Sequence, residues 1–417
     1  MPYWLMAGPC YRACVAIVAF VRPGWRAALC AFALGCGGSV PLHAQDADPA
    51  LRLRPQAAEQ QASTQGDPWL SHWWTAFDDP LLTRLVETGV AADPDLALPT
   101  EQAARGSSGR KLVARKRSGR ADEAEHHAVL YERAQKQAEK AERIARAYFK
   151  VRATQQHMAV ARESLESQQE NIKVASLRFR AGLAPAYDAN FARTQSATTA
   201  AALGEVEAEF QRDITRLAEL TRIDAQPLRE AFGTHVPTLA APPLPPDDQG
   251  GIVALRRADL LALEQRLSAR LIRDGVAQAD IDAAMAGQAA APSDDVAEAL
   301  ASYEDRLSGA RADVAVALET ANAAQKRVAT LERAVESARV ALGDTRMAYN
   351  SGLDRFVSVY VAENALFEVR QAIVAAQRTH MEALIRYFTA LGGGWRIEQP
   401  RSGTPAPATK QSGTRDE

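Results

Sequence analysis

The chain has no cysteine after Cys36. Its four, Cys10, Cys14, Cys30 and Cys36, all precede that point, so nothing later can close a disulfide or hold a metal through thiolates. Charge of one sign is lacking too. Lys and Arg number 49 against 51 Asp and Glu, and a net charge of -2 points to no nucleic acid or other polyanionic partner. Aromatic residues make up only 6%. The second half is dense in Ala, Glu, Arg and Gln instead, which suits long helices meeting through narrow, small-residue seams. No apolar run approaches the roughly 20 residues a helix needs to span a bilayer. Later membrane contact would need β-strands or a partner.

Reactive motifs are missing as well. There is no nucleophile elbow, no helical pair of metal ligands and no phosphate loop. Gly106-Ser107-Ser108-Gly109-Arg110-Lys111 lacks Walker spacing, and Gly392-Gly393-Gly394 follows no strand pattern. His126 and His127 are adjacent, so they point to different faces of a helix and share no metal. The expectation is a protein without catalytic residues, metal or cofactor. Its mechanism then rests on shape and on surfaces for partners.

What the chain has is a duplication. Sliding it by 170 residues lays 144–220 on 314–390 without a gap. Ala145, Ala153, Gln155 and Ser167 fall on Ala315, Ala323, Gln325 and Ser337, and beyond them Ala192 and Arg216 meet Ala362 and Arg386. At the centre, Phe179-Arg180-Ala181-Gly182-Leu183 meets Tyr349-Asn350-Ser351-Gly352-Leu353. Each copy reads as long helix, glycine turn, long helix, and the repeat argues for one pseudo-symmetric unit.

Residues 1–44 carry Arg12, Arg22 and Arg26 beside apolar runs and end in Leu42-His43-Ala44. That is the pattern of a secretory signal cut after Ala44. Lipidation at Cys36, after the imperfect lipobox Ala33-Leu34-Gly35, and an N-terminal membrane anchor are the alternatives. Residues 45–80 form an extended arm that holds Trp69, Trp73, Trp74 and Phe77, aromatics suited to anchoring the first helix on its neighbours. The first helical repeat is 81–236, opened by Asp78-Asp79-Pro80, an acidic N-cap with proline in the first turn. Within it Arg105–Arg120 is a basic loop able to meet acidic lipid head groups, and a proline-free helix follows from Ala121 to about Ala181. The return helix runs to about Ile223, with Leu203, Val206, Phe210, Ile214 and Leu217 spaced as a coiled-coil seam. A proline-rich linker, 237–251, leads to the second repeat, 252–395. That repeat has helices from Ile252 to about Asp282 and from Val296 to about Asn350, and then a return helix ending at Ala390-Leu391-Gly392-Gly393-Gly394-Trp395. Residues 396–417 form a polar, disordered tail.

An exported chain with this duplication, a Trp-Trp…Phe-Asp-Asp-Pro-Leu-Leu opening, Leu255-Arg256-Arg257-Ala258-Asp259 in mid-chain and an Ala-Leu-Gly-Gly-Gly-Trp end resembles the TolC-like outer membrane factors, closest to the branch serving drug-efflux pumps. The resemblance runs from about Asp67 to Trp395. It implies a mainly α fold whose duplicated antiparallel hairpins form a trimeric α-barrel across the periplasm, below an outer-membrane β-barrel. Gly182, Leu183, Gly352 and Leu353 would form the periplasmic tip, where an adaptor (membrane fusion) protein docks and the duct opens. Asp188 matches the family's acidic lumen constriction. Its counterpart in the second copy is Ser358, with Asp354 closer to the turn.

The family has a strand hairpin between the first and second helices of each half. Here those places hold Arg105–Arg120 and Asp282–Asp295, and neither alternates as membrane strands do, so the barrel strands are expected to be reduced or absent. The function implied is an outer-membrane exit duct of a tripartite efflux pump or type I secretion system. As a homotrimer in outer membrane lipid, served by an adaptor and an inner-membrane pump, it would conduct small molecules or a secreted polypeptide. The alternative is a non-conducting, soluble periplasmic scaffold that binds adaptors.

Overall fold

A computed structural model describes residues 68–96, 112–244 except 235 and 238, 257–276, 280 and 294–395. All lie within one compact unit, Arg52–Glu417. The expected signal sequence, Cys36, most of the expected arm, 105–111, 282–293 and the tail lie outside the described residues.

After one helical turn, Pro68–Ser71, and a 3-10 turn, Trp73–Phe77, helix α1 spans Pro80–Ala91. It starts there because Asp79 accepts hydrogen bonds from the backbone N–H of Leu81 and Leu82, and Pro80 needs no partner for a missing N–H. Then come α2, Leu112–Arg180; α3, Ala186–Thr221; and α4, Ala225–Phe232. The second half holds α5, Ala258–Asp274; α6, Asp294–Asn350; and α7, Phe356–Ala390. No strand occurs among the described residues.

Three stretches differ from the sequence expectation. The end of the expected extended arm is wound into the turns Pro68–Ser71 and Trp73–Phe77, because Trp73, Trp74 and Phe77 are buried there. Helix α2 begins at Leu112, so residues 112–120 of the expected basic loop are helical. Arg, Lys, Leu and Ala are good helix formers, and a run of cations does not by itself end a helix. Gly119, at about 1 kcal/mol against alanine, is too small a cost to do so. Helix α5 stops early, at Asp274. Gly275 takes a left-handed φ of 90° there, and the Val276 N–H reaches back to the Leu271 carbonyl at 3.1 Å.

At roughly 1.5 Å per residue, the 69 residues of α2 extend about 100 Å. It packs against α3 on one side and α7 on the other, and α7 packs against α6. Away from the turns the order is therefore α3–α2–α7–α6. Helices α1 and α5 lie on the N-terminal part of α2. Gly89 of α1 allows close approach, since a Cβ there would meet Ile144 Cδ1 at 2.5 Å and Thr221 Cα at 3.2 Å.

The main core gathers both ends of the described chain around mid-α2. Trp73 is stacked on Phe388 at 5.9 Å and edge-on to Phe77 at 6.1 Å. The Gly394 N–H bonds the Leu70 carbonyl at 3.0 Å. The tryptophans thus anchor the chain start on α7 and α2, and the Gly-Gly-Gly-Trp end closes over them. Beside this core runs a buried polar relay. Tyr148 hydrogen-bonds Asp79, Arg152 Nε donates to the Tyr148 hydroxyl at 2.8 Å, and Gln155 Nε2 donates to the Gly233 carbonyl at 3.0 Å. The Arg152 guanidinium lies 4.6 Å over the Phe232 ring. Burial and the hydrogen bond to Asp79 push the Tyr148 hydroxyl up from its ordinary pKa against the opposing Arg152 charge, so it stays a donor.

Candidate functional site: the paired glycine turns

The two copies end in turns that match bond for bond. In the first, Gly182 N–H donates to Phe179 O at 2.9 Å and Leu183 N–H to Arg178 O at 2.9 Å. In the second, Gly352 N–H donates to Tyr349 O at 3.0 Å and Leu353 N–H to Ala348 O at 2.9 Å. Gly182 has φ 72° and Gly352 φ 75°, the left-handed conformation that closes a helix and that glycine adopts without steric cost. Pro185 and Arg355 then stand extended as N-caps, and the N–H groups of Asp188 and Ser358 bond back to them at 3.2 and 3.1 Å. The duplication read in the sequence is therefore also a duplication of backbone geometry.

The turns lie side by side. Arg178 donates from Nη1 to the Asn350 carbonyl at 2.9 Å, linking one turn to the other. Its guanidinium also rests 4.8 Å over the Tyr349 ring. A small core of Ala192, Leu342, Tyr349, Phe356 and Val359 joins three helices here, with Ile172 and Val174 of α2 packed against it. Outward, Leu183 is 67% exposed and Leu353 84% exposed. These two apolar side chains project from the tightest points of the turns.

The acidic residues take different places. Asp188 is only 5% exposed, packed beneath Tyr349, whose hydroxyl lies 3.5 Å from Oδ2. Burial pushes its carboxyl above the usual carboxylate range, and the Tyr349 hydrogen bond and the Arg178 charge oppose that. Its place in the first turn of α3, at the positive end of the helix dipole, also favours the anion. Asp354 is exposed, accepts the Arg355 N–H at 2.7 Å and bonds the Ser358 hydroxyl. Those bonds hold its carboxyl below the ordinary value. The structure thus brings Asp354 and Ser358 together and gives Asp188 a separate partner in α6. Sequence reasoning missed Arg178 and Tyr349 as site residues. The available signal was an aromatic three positions before each turn glycine, Phe179 and Tyr349, of which only Tyr349 is buried.

Just along the hairpins, α2, α6 and α7 share a second polar knot. The Glu363 carboxylate is buried, pairs with Arg346 at 3.0 Å and accepts from Asn171 Nδ2 at 2.7 Å and from Ser167. Losing either partner would strand a buried charge.

Known proteins share the fold. No protein-family model matches the chain. It is 30% identical over 98 residues to the probable outer membrane lipoprotein SilC of Salmonella typhimurium, covering 24% of this chain and 21% of SilC. It is 25% identical over 286 residues to nodulation protein T of Rhizobium leguminosarum bv. trifolii, covering 56% and 60%. The match thus spans about a fifth of SilC's length and less than two thirds of nodulation protein T. The solved structure of the outer-membrane channel OprN superposes with a TM-score of 0.64 at 22% identity, over 78% of this chain and 93% of that one. The fold is that of the helical part of an outer-membrane efflux channel. The expected resemblance to the TolC-like outer membrane factors is thus met by similarity to named outer membrane efflux proteins and by the fold.

Proposed function

We propose that the protein is the outer-membrane exit duct of an export machine. A homotrimer, projecting into the periplasm, would pass small molecules or a secreted polypeptide brought to it by an inner-membrane pump and a periplasmic adaptor. The observation that carries this reading is the pair of equivalent glycine turns, set side by side and bridged by Arg178. A helical duct needs such an end, where a partner's helices can dock and where hairpins can swing about a tight turn. Exposed Leu183 and Leu353 supply the apolar contact for the adaptor. The similarity to outer membrane channels supports the location and the class of activity.

On this reading the tip is held closed by contacts within each protomer. Arg178 to Asn350, Tyr349 to Asp188 and the small aromatic core tie the first hairpin to the second. Opening must break them, and the acidic groups Asp188 and Asp354, with Ser358, would then line the widening mouth. No cofactor or metal enters this mechanism, and any lipidation at Cys36 would add an anchor without altering it.

The test is crosslinking in cells. A cysteine at Leu353 (Leu353→Cys) should crosslink to the adaptor, and the protein should resist extraction from the outer membrane as a trimer. Adding Gly352→Val, which forces a β-branched residue to φ 75°, should weaken that crosslink severalfold. Unchanged crosslinking with the valine would remove the turn from the docking site. A soluble periplasmic monomer would overturn the duct.

A further inference from the structure

The cations that precede Ala121 are a feature of the sequence that the duct does not use. The structure places four of them on α2. Leu112-Val113-Ala114 opens the helix, and Arg115, Lys116, Arg117 and Arg120 follow with no acidic residue before Asp122. Ala121 is buried against α5 and α6 in a cluster with Leu267, Leu271, Ile272 and Val296, whereas Arg120 beside it is exposed. Further along α2, Glu125 pairs with Arg273 of α5 at 3.2 Å, and Glu132 pairs with Arg266.

Both neighbouring helices stop at this level. Helix α5 ends at Asp274, next to the residue that Glu125 holds. Helix α6 starts at Asp294, 58 residues before Gly352, whereas Leu112 stands 70 before Gly182. At roughly 1.5 Å per residue, α2 thus runs about 18 Å further from the glycine turns than α6 does. All four cations lie on this overhang, and the acidic Asp294 and Glu298 of α6 lie short of it.

We propose that this overhang docks on a bilayer surface bearing anionic phospholipid head groups. Three apolar residues lead and three consecutive cations follow, so the end of the helix can enter the head-group layer while its cations meet lipid phosphates. A soluble polyanion has no use for the apolar lead, and a net charge of -2 gives the whole chain no general attraction to one. The attraction is therefore local to the overhang. Arg115 and Arg178 are 63 residues apart on one helix, so the docked end would hold the paired turns up to about 95 Å from the bilayer. The proposal needs neither conduction nor a trimer, and it holds equally for a periplasmic scaffold.

Flotation of the full chain with lipid vesicles tests this. Vesicles of phosphatidylglycerol and phosphatidylcholine should carry the protein at low salt. Arg115→Gln, Lys116→Gln, Arg117→Gln and Arg120→Gln together keep good helix formers in place. They should weaken binding at least about tenfold, since each cation near an anionic surface counts for roughly fivefold. The same loss of charge on α6, through Lys326→Gln, Arg327→Gln, Arg333→Gln and Arg339→Gln, should leave binding unchanged. An equal loss there, or undiminished binding by the first variant, overturns the proposal. An environment-sensitive fluorophore on Ser118→Cys, with Cys10, Cys14, Cys30 and Cys36 changed to serine, reports the overhang apart from the apolar N-terminal residues. Its emission should shift to the blue with the anionic vesicles and stay unchanged with pure phosphatidylcholine. No shift, a shift with both lipids, or a shift only with long-chain polyphosphate would also overturn it. Adaptor crosslinking through Leu353→Cys should survive the α2 glutamine changes, so failure of the lipid contact leaves the duct standing.

Discussion

At the scale of single residues, two contacts at the chain ends govern the core. A Cβ on Gly393 would stand 2.7 Å from the Leu70 carbonyl and 2.9 Å from the Phe388 carbonyl, both backbone atoms that cannot step aside. Gly393→Ala should therefore destabilise the protein by about 1–3 kcal/mol, as overpacking does. Gly309 lies inside α6 with nothing within 4 Å of its added Cβ, and Gly309→Ala should stabilise by about 0.5–1 kcal/mol through helix propensity. Thermal unfolding of the two variants checks this, and shifts of the same sign would contradict it. Residue-scale detail is also where the sequence was least legible. The Gly-Gly-Gly-Trp motif read as a helix stop, but nothing in it showed that Leu70 and Trp73 would press against it. Arg152 and Asp79 are 73 positions apart, so their connection through Tyr148 emerges only from the packing of α1 on α2.

At the scale of helices, the shaft and the tip of the hairpins should respond to acid in opposite directions. In the shaft, burial holds His157 and His380 below the ordinary histidine value of 6.5; Gln371, Glu209 and Arg378 also act on His157. The folded state prefers both rings neutral and the unfolded chain takes up protons first, so stability there is lost as pH falls through that value. At the tip the sign reverses. Burial raises Asp188, the folded state binds its proton more readily than the unfolded chain, and stability there is gained as pH falls through the raised value. Hydrogen exchange, corrected for its intrinsic pH dependence, should show weaker protection around His157 and firmer protection around Asp188 at pH about 4 than at about 7. His157→Gln should abolish the first change and Asp188→Asn the second. A uniform change along the hairpins would contradict this. Much of the element scale was legible beforehand. The coiled-coil spacing, the proline-free runs and the 170-residue repeat located α3, α6, α7 and both turns. The start of α2 was not legible, because a cluster of cations looks like a loop yet costs a helix little.

At the scale of the whole molecule, the fold follows from saying one hairpin twice. Each copy buries one face within the chain and ends in the same glycine turn. The places where membrane strands would stand, within 105–120 and 282–295, fall largely outside the described residues, so the helical shaft and its tip carry the functional argument. Their resemblance to outer membrane channels makes passage the central claim. Purified oligomer added to a planar lipid bilayer should produce discrete, steady conductance steps, larger when the tip is loosened by Arg178→Ser. A pure, correctly assembled oligomer that inserts no conducting path, with or without that change, would contradict the duct and leave a periplasmic scaffold in its place.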